Sequence, residues 1–348
     1  MKRNTILYRI FSLAVASILT IASQAQSFET SKIIEKSEKV SQNVTIDFSN
    51  YSADLNIVTT NGNEINICTE ITVDAKTQED AGKFIRAVED FEFEVSDKNA
   101  QINTRFYQKM QSINGRITMT LKNGDKIKLR DYDIKHKLEI PASANLKMQN
   151  KYSDMQLGAL TGKASFNLYN CELDAETFTE TVEINAKYSK IRVDKFDADL
   201  ELNFYDSDLN FETAKNIKAT CKYSKLQGES AESLNLNSYD DKFFINSISD
   251  LKITAKYSDL VAKAKLNSCS LNLYDSNITI SSAALVKFNG KYCTLDLGDV
   301  ENFSISNSYD NVIQTKTVGQ LEALVSKYSK MSIEQIKKFS IIDRKSVV

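Results

Sequence analysis

The 348-residue chain has no tryptophan, one proline, one histidine and only ten glycines. A lone histidine excludes a His-rich metal site, and we interpret His136, within Lys135-His136-Lys137, as a solvated strand residue and not a catalytic base. The sequence also lacks a Walker loop, a G-x-S-x-G elbow and a calcium-binding glycine repeat. It therefore predicts no catalytic residue, no metal and no cofactor.

Cysteine is scarce as well, and none of the five residues has a C-x-x-C spacing, which disfavours a zinc site or a redox dithiol. A disulfide in an oxidising compartment stays open. Buried free thiols are favoured, because Cys221 and Cys269 fall on alternating apolar positions. The five are Cys68, Cys171, Cys221, Cys269 and Cys293.

Residues 1–25 have the pattern of a secretory signal peptide: a basic start, the apolar run 10–21 and the small-residue site Ala22-Ser23-Gln24-Ala25. An uncleaved anchor is the alternative. Cleavage would move the formal charge from −2 to about −5. We expect an exported protein that is periplasmic, outer-membrane-associated or extracellular. With lysines and acids interspersed along the sequence, nucleic acid is not an expected partner.

Tyrosines recur through the C-terminal part of the chain in steps of 16 to 19 residues, and eleven of the fifteen fall on this lattice. Lys-Tyr-Ser sites such as Lys187-Tyr188-Ser189 alternate with Tyr-Asp sites such as Tyr205-Asp206, so the repeating unit is two segments, about 35 residues long. The eleven are Tyr152, Tyr169, Tyr188, Tyr205, Tyr223, Tyr239, Tyr257, Tyr274, Tyr292, Tyr309 and Tyr328.

Apolar residues around each tyrosine alternate with period two, as in Leu200, Leu202 and Phe204, which is typical of strands. A segment of 17 or 18 residues buries its apolar face only by stacking on its neighbours. The pattern therefore predicts an all-β fold, a parallel β-helix or β-solenoid of about eleven coils over 146–348. Helical repeats of similar length are excluded, because they show a 3.6-residue period.

Residues 26–145 are β-rich but irregular. The segment Asn50-Tyr51-Ser52-Ala53-Asp54-Leu55 resembles a degenerate coil, and hairpins with primed turns are expected at Asn61-Gly62 and Asn123-Gly124. A capping Thr77 followed by apolar residues at helical spacing predicts one short helix near 77–91.

When the coils are aligned, one column alternates Lys with Tyr from coil to coil, and the adjacent column alternates Tyr with Asp or Asn. This alternation separates like charges and brings ammonium groups near aromatic rings. This strip either fixes the register of the coils or binds a polymer such as a glycan. Tyr309 and Asp310 are expected to be shifted by one place. The candidate residues are Lys151, Tyr152, Tyr169, Lys187, Tyr188, Tyr205, Asp206, Lys222, Tyr223, Tyr239, Asp240, Lys256, Tyr257, Tyr274, Asp275, Lys291, Tyr292, Tyr309 and Asp310.

The segment Leu138-Glu139-Ile140-Pro141, followed by Leu146 and then Met155-Gln156-Leu157-Gly158-Ala159-Leu160-Thr161-Gly162, resembles the entry to the coils of the bacterial putative adhesin family. That family is related to the head domain of putative autotransporter adhesins. The resemblance spans roughly 40–340. It implies a right-handed β-helix-like fold and a surface or periplasmic location, and it supplies no catalytic residues.

Three functions follow as hypotheses. The first is a non-enzymatic envelope scaffold that binds a glycan, an envelope protein or its own copies. The second is a carbohydrate-active enzyme, a polysaccharide lyase or hydrolase, using a row formed by Asp206, Asp240 and Asp275. The third is a purely structural or self-associating envelope protein.

Overall fold

The computed structural model describes residues 28–324 and 326–341. The predicted signal peptide lies outside these residues. Among the residues described, no helix has the length and apolar character needed to cross a bilayer.

Strands make up most of the described chain, with one helix among them, as expected. In chain order the elements are β1 (Phe28–Lys39), β2 (Thr45–Tyr51), β3 (Asp54–Thr60), β4 (Glu64–Ala75), α1 (Gln78–Glu89), β5 (Glu92–Val95), β6 (Asn99–Asn103), β7 (Tyr107–Ile113), β8 (Arg116–Leu121), β9 (Lys126–Pro141), β10 (Asn145–Lys151), β11 (Asp154–Leu157), β12 (Ala164–Tyr169), β13 (Glu172–Phe178), β14 (Val182–Lys187), β15 (Lys190–Phe196), β16 (Leu200–Tyr205), β17 (Asp208–Lys222), β18 (Lys225–Tyr239), β19 (Lys242–Lys256), β20 (Asp259–Tyr274), β21 (Asn277–Lys291), β22 (Thr294–Tyr309), β23 (Val312–Ala323), β24 (Ser326–Lys327) and β25 (Lys330–Ile341).

The described chain packs as two units, of which the smaller comprises 28–35, Cys68–Phe91 and Phe106–Lys135. Its helix α1 is the predicted one: the Thr77 side chain accepts a hydrogen bond from the Asp80 amide and caps the first turn. Phe84, buried on this helix, contacts Phe106 edge to face, with ring centroids 5.3 Å apart.

Two hairpins join the antiparallel strands of this unit. The hairpin expected at Asn123-Gly124 is confirmed, because β8 and β9 pair across it, but only Gly124 has a positive φ, of 91°, so the turn is not of the expected primed type. The primed turn expected at Asn61-Gly62 is wrong, because neither residue has a positive φ. The second hairpin of the unit, at Asn114-Gly115, was not anticipated. Both of its residues have positive φ and Ile113 pairs with Arg116, which is the geometry of a two-residue primed turn.

The larger unit comprises Lys36–Ile67, Glu92–Arg105 and the chain from His136, and it contains the parallel β-solenoid of about eleven coils. Each coil has a first strand, a tight turn and a second strand. In the middle of the unit, β14 is followed by β15; β14 pairs in parallel with β16 and β15 with β17 of the next coil, 18 residues on. From β17 onward, one bent strand contains the second strand of a coil and the first strand of the next.

The parallel pairing of the solenoid strands begins before residue 146. β10 pairs in register with β2, so that Lys151 lies beside Tyr51, and β11 pairs with β3. This confirms that Asn50-Tyr51-Ser52 forms a coil turn, separated from its stacking partner by about a hundred residues of chain. β6 in turn pairs in parallel with β2, and β5 covers β6 in antiparallel orientation.

The interior of the solenoid is filled mainly by apolar residues at alternate strand positions, including the stacked rings of Phe178 and Phe196 at 5.7 Å. His136 shares this inward parity on β9 and is only 3% exposed, so the expectation of a solvated histidine is wrong. Burial lowers the pKa of His136 to about 4. The imidazole is therefore neutral at physiological pH and belongs to the core.

Candidate functional site

A continuous stack of twelve tyrosine rings runs along one edge of the solenoid, and we name it the tyrosine ladder. Neighbouring ring centroids lie 5.4 to 5.9 Å apart, and the ring planes meet at 74 to 87°, so every contact is edge to face. The members are the eleven lattice tyrosines and Tyr51. Successive tyrosines of the lattice therefore occupy successive coils, as predicted.

Two adjacent backbone columns supply these rings alternately. The strand column holds the last residue of each first strand. In it Lys187 pairs with Tyr205, Tyr205 with Lys222, and the alternation continues over the whole ladder. Its members are Tyr51, Lys151, Tyr169, Lys187, Tyr205, Lys222, Tyr239, Lys256, Tyr274, Lys291, Tyr309 and Lys327.

The turn column is the following residue, which has a left-handed conformation in every coil. For most side chains this conformation costs about 1–2 kcal/mol, whereas Asn and Asp tolerate it better. Edge-to-face contacts of about 0.5–1.5 kcal/mol each offset that cost where the residue is Tyr. The members are Ser52, Tyr152, Asn170, Tyr188, Asp206, Tyr223, Asp240, Tyr257, Asp275, Tyr292, Asp310 and Tyr328.

Tyr309 and Asp310 are not displaced from these columns, contrary to the expectation. The spacing in sequence is one residue longer because β22 contains a bulge: Phe288 pairs with Ile305, but the next residue, Asn289, pairs with Asn307. The extra residue is Ser306. Tyr309 returns to the strand column and pairs with both Lys291 and Lys327.

One residue further along, each turn from Tyr152 onward places a small polar side chain inside the solenoid, and we name this set the inner column; the turn at Ser52 is followed by Ala53 instead. Ser207 is representative: its hydroxyl donates to the Tyr205 carbonyl at 3.0 Å and accepts the Ser189 amide at 3.1 Å. Each coil is thus hydrogen-bonded to the one before it. The members are Ser153, Cys171, Ser189, Ser207, Ser224, Asp241, Ser258, Ser276, Cys293, Asn311 and Ser329.

The cysteines follow the same two environments. Cys171 and Cys293 replace serine in the inner column, where their thiols donate to the carbonyls of Tyr169 and Lys291. Cys221 and Cys269 lie in the apolar interior, and burial raises the pKa of both thiols. All five cysteines are free, and these four are buried, as the preferred interpretation expected, whereas Cys68, in the smaller unit, is half-buried.

On the outward face of the first strands, two residues before the strand column, lies a row of amides and threonines that we name the amide column. Members of two neighbouring pairs are bonded to each other: Asn203 Nδ2 donates to Asn185 Oδ1 at 2.9 Å, and Asn289 Nδ2 donates to Asn272 Oδ1 at 3.2 Å. Its signal in the sequence was the recurrent Asn two places before Tyr. The members are Gln149, Asn167, Asn185, Asn203, Thr220, Asn237, Thr254, Asn272, Asn289 and Asn307.

The predicted contact between ammonium groups and rings is present at Lys222, whose Nζ lies 4.9 Å from the ring centroid of Tyr223 and 5.1 Å from that of Tyr239. Most ladder tyrosines keep between 37% and 47% of their surface exposed. The ladder therefore combines ring packing along the axis with an accessible outer edge.

The acidic row proposed for catalysis is not contiguous. Asp206, Asp240 and Asp275 occupy alternate positions of the turn column, with Tyr223 and Tyr257 between them. Two coils of about 4.8 Å place successive carboxylates roughly 9.5 Å apart along the axis.

No family model and no curated protein matches the chain. It is similar to solved structures of a putative adhesin from Bacteroides fragilis, a putative adhesin from Parabacteroides merdae and a putative lipid binding protein from Parabacteroides distasonis. Identities are 11%, 10% and 10%, and TM-scores are 0.34, 0.25 and 0.26. The alignments cover 76%, 89% and 89% of this chain and 97%, 96% and 95% of the others. At this distance, function has to be inferred from the chain's own residues.

Proposed function

We propose that the protein is an exported, non-enzymatic binding scaffold of the cell envelope, adhesin-like in role. It binds an extended glycan on the face formed by the strand column and the amide column. The observation that carries this proposal is the register: outward amides, tyrosines and lysines recur in straight rows, one member to each coil.

A glycan presents hydroxyl groups that both donate and accept hydrogen bonds, and side-chain amides do the same. Tyrosine adds an apolar ring with a polar tip. A row that repeats at every coil can hold successive units of one polymer, so that weak single contacts add up through effective concentration.

Ring packing alone would explain the tyrosines, since edge-to-face contacts stabilise the stack without a ligand. It does not explain the amide column, which is exposed and lies away from the core. The test therefore has to remove the polar groups and leave the rings in place.

The test compares wild-type protein with a sextuple variant, first on a glycan array and then by calorimetry with the glycan that binds. Tyrosine-to-phenylalanine changes keep the ladder, and asparagine-to-alanine changes remove the amides. We expect a loss of affinity of about tenfold or more, because hydrogen bonds are removed at six positions. The changes are Tyr205→Phe, Tyr239→Phe, Tyr274→Phe, Asn203→Ala, Asn237→Ala and Asn272→Ala.

A matched control removes exposed amides from the outward face of the second strands: Asn210→Ala, Gln227→Ala and Gln314→Ala. This control should bind as the wild type does. Absence of binding to any glycan, or equal binding by all three proteins, would overturn the proposal and favour a purely structural role.

A further inference from the structure

The outward face of the first strands changes character along the solenoid. Over residues 217–309, the outward positions of these strands carry six lysines and one acid, Asp250, which lies at the start of its strand and accepts a hydrogen bond from Ser268. In the coils before them, the same face carries Glu183 and Glu201. We name the six lysines and the residues between them the lysine face. The lysines are Lys218, Lys222, Lys252, Lys256, Lys287 and Lys291.

The lysines form two files in alternate coils. Lys218, Lys252 and Lys287 belong to one file, separated by Asn235 and Ser270 in the coils between them. The other file is the lysines of the strand column. Strand geometry sets the files roughly 13 Å apart and repeats each file about every 9.5 Å.

These charges are available to a ligand. Lys218 is paired with Glu201 at 2.7 Å, whereas none of the other five forms an ion pair with any residue in the described part of the chain. Asp250 lies two residues before Lys252 on the same strand, and the acids of the turn column, Asp240, Asp275 and Asp310, lie in the coils that carry no lysine. Although the chain has a formal charge of −2, it concentrates lysines on one face. This concentration was not predicted, because lysines and acids are interspersed along the sequence.

Building on the proposed function, we infer that the lysine face binds an anionic polysaccharide, one with carboxylate groups repeated along an extended chain. Each file of ammonium groups faces the acid groups of the polymer. The amide column between the files, Thr220 to Asn307, takes the neutral hydroxyls of the same polymer.

Nucleic acid is less well suited to this surface. The outward positions of the face contain no arginine, the residue that binds phosphate in bidentate geometry. Ladder rings already touch one another at 5.5 to 5.9 Å along this stretch, which leaves no gap into which a base could insert.

The experiment measures binding of the full chain to polygalacturonate and to its methyl ester, which has the same backbone without the charge. We expect polygalacturonate to bind more tightly than its methyl ester at low salt (about 0.05 M). It should lose most of its affinity at about 0.5 M salt, where screening is strong. In the variant carrying Lys252→Gln, Lys256→Gln, Lys287→Gln and Lys291→Gln, affinity for polygalacturonate should fall about tenfold or more, whereas affinity for the uncharged ester should fall far less.

The matched control moves the same change to exposed lysines of the second strands: Lys225→Gln, Lys242→Gln, Lys263→Gln and Lys316→Gln. It should retain wild-type affinity. Equal binding of polygalacturonate and ester would overturn this inference and leave glycan binding standing, whereas absence of binding to any glycan would overturn both. Duplex DNA bound more tightly than polygalacturonate, with the same lysine dependence, would reassign the face to nucleic acid.

Discussion

The turn column and the inner column are adjacent in sequence, yet the solenoid uses them in opposite ways. From Tyr152 onward, the turn column alternates Tyr with Asp or Asn, and its tyrosines are partly exposed and contact rings above and below. The inner column varies only among Ser, Cys, Asn and Asp, and most of its side chains accept a backbone amide of the preceding coil. Residues that fix the stacking are thus separated from residues that form the surface, so the surface can change without loss of the stack.

The largest expected effect comes from breaking the inner column. Ser258→Val removes a hydroxyl that accepts the buried Asp241 amide at 3.1 Å and donates to the Lys256 carbonyl at 3.0 Å. Leaving that amide unpaired should lower the free energy of unfolding by about 3 kcal/mol. The midpoint of urea unfolding, at constant slope, measures it.

Ser258→Cys is the control for that change, since Cys171 and Cys293 already occupy the inner column in other coils. It should lower the free energy of unfolding far less than Ser258→Val. Equal losses in the two variants would mean that side-chain size, and not the hydrogen bonds, determines stability at this position.

A smaller effect is expected in the turn column. Tyr257 has a φ of 59° and contacts Tyr239 and Tyr274 at 5.5 and 5.8 Å. Tyr257→Val removes both ring contacts and places a branched side chain in a left-handed conformation, which should cost about 2 kcal/mol. Tyr257→Asn should cost about 1 kcal/mol or less, because Asn tolerates this conformation. Thermal unfolding of the two variants distinguishes ring contacts from backbone strain: similar losses would show that only the rings matter.

The smallest effect sharpens the comparison within the inner column, where Asp241 and Asn311 occupy equivalent positions. Burial raises the pKa of the Asp241 carboxyl, despite hydrogen bonds from Ser238 and from the amides of Ser224 and Tyr239. The folded protein therefore holds this proton more tightly than the unfolded chain. The contribution of Asp241 to stability is therefore fully present below the ordinary aspartate pKa, and it is lost as pH rises through the raised pKa of the folded state.

Asp241→Asn should abolish that fall, because an amide does not titrate. Asn311 shows an arrangement that it can adopt, with Nδ2 donating to Ser308 and to the Gly290 carbonyl at 2.8 Å each. Melting temperatures from pH 3.5 to pH 8 provide the measurement: the wild type should lose stability relative to the variant across this range, and parallel curves would contradict the prediction.

The alternation of the two outer columns was predictable because a strand period of two and a coil of nearly constant length fix which residues stack. The bulge at Ser306 was not, since an extra residue changes the spacing in sequence without changing the position of Tyr309 in space. The inner column was visible as the Ser of Lys-Tyr-Ser. Its role was not predicted, because Cys, Asp and Asn share the position and their common function is a hydrogen bond. His136 was misjudged because its flanking lysines suggested solvent, whereas strand parity placed it inside.

The alternation of Lys with Tyr along the strand column also restricts how the solenoid can change in length during evolution. Loss or gain of a single coil would bring two lysines, or two tyrosines, onto neighbouring rungs about 4.8 Å apart, in the wrong phase for charge and ring alike. Duplication or deletion of a pair preserves the phase. Relatives that share this edge should therefore differ in length by even numbers of coils.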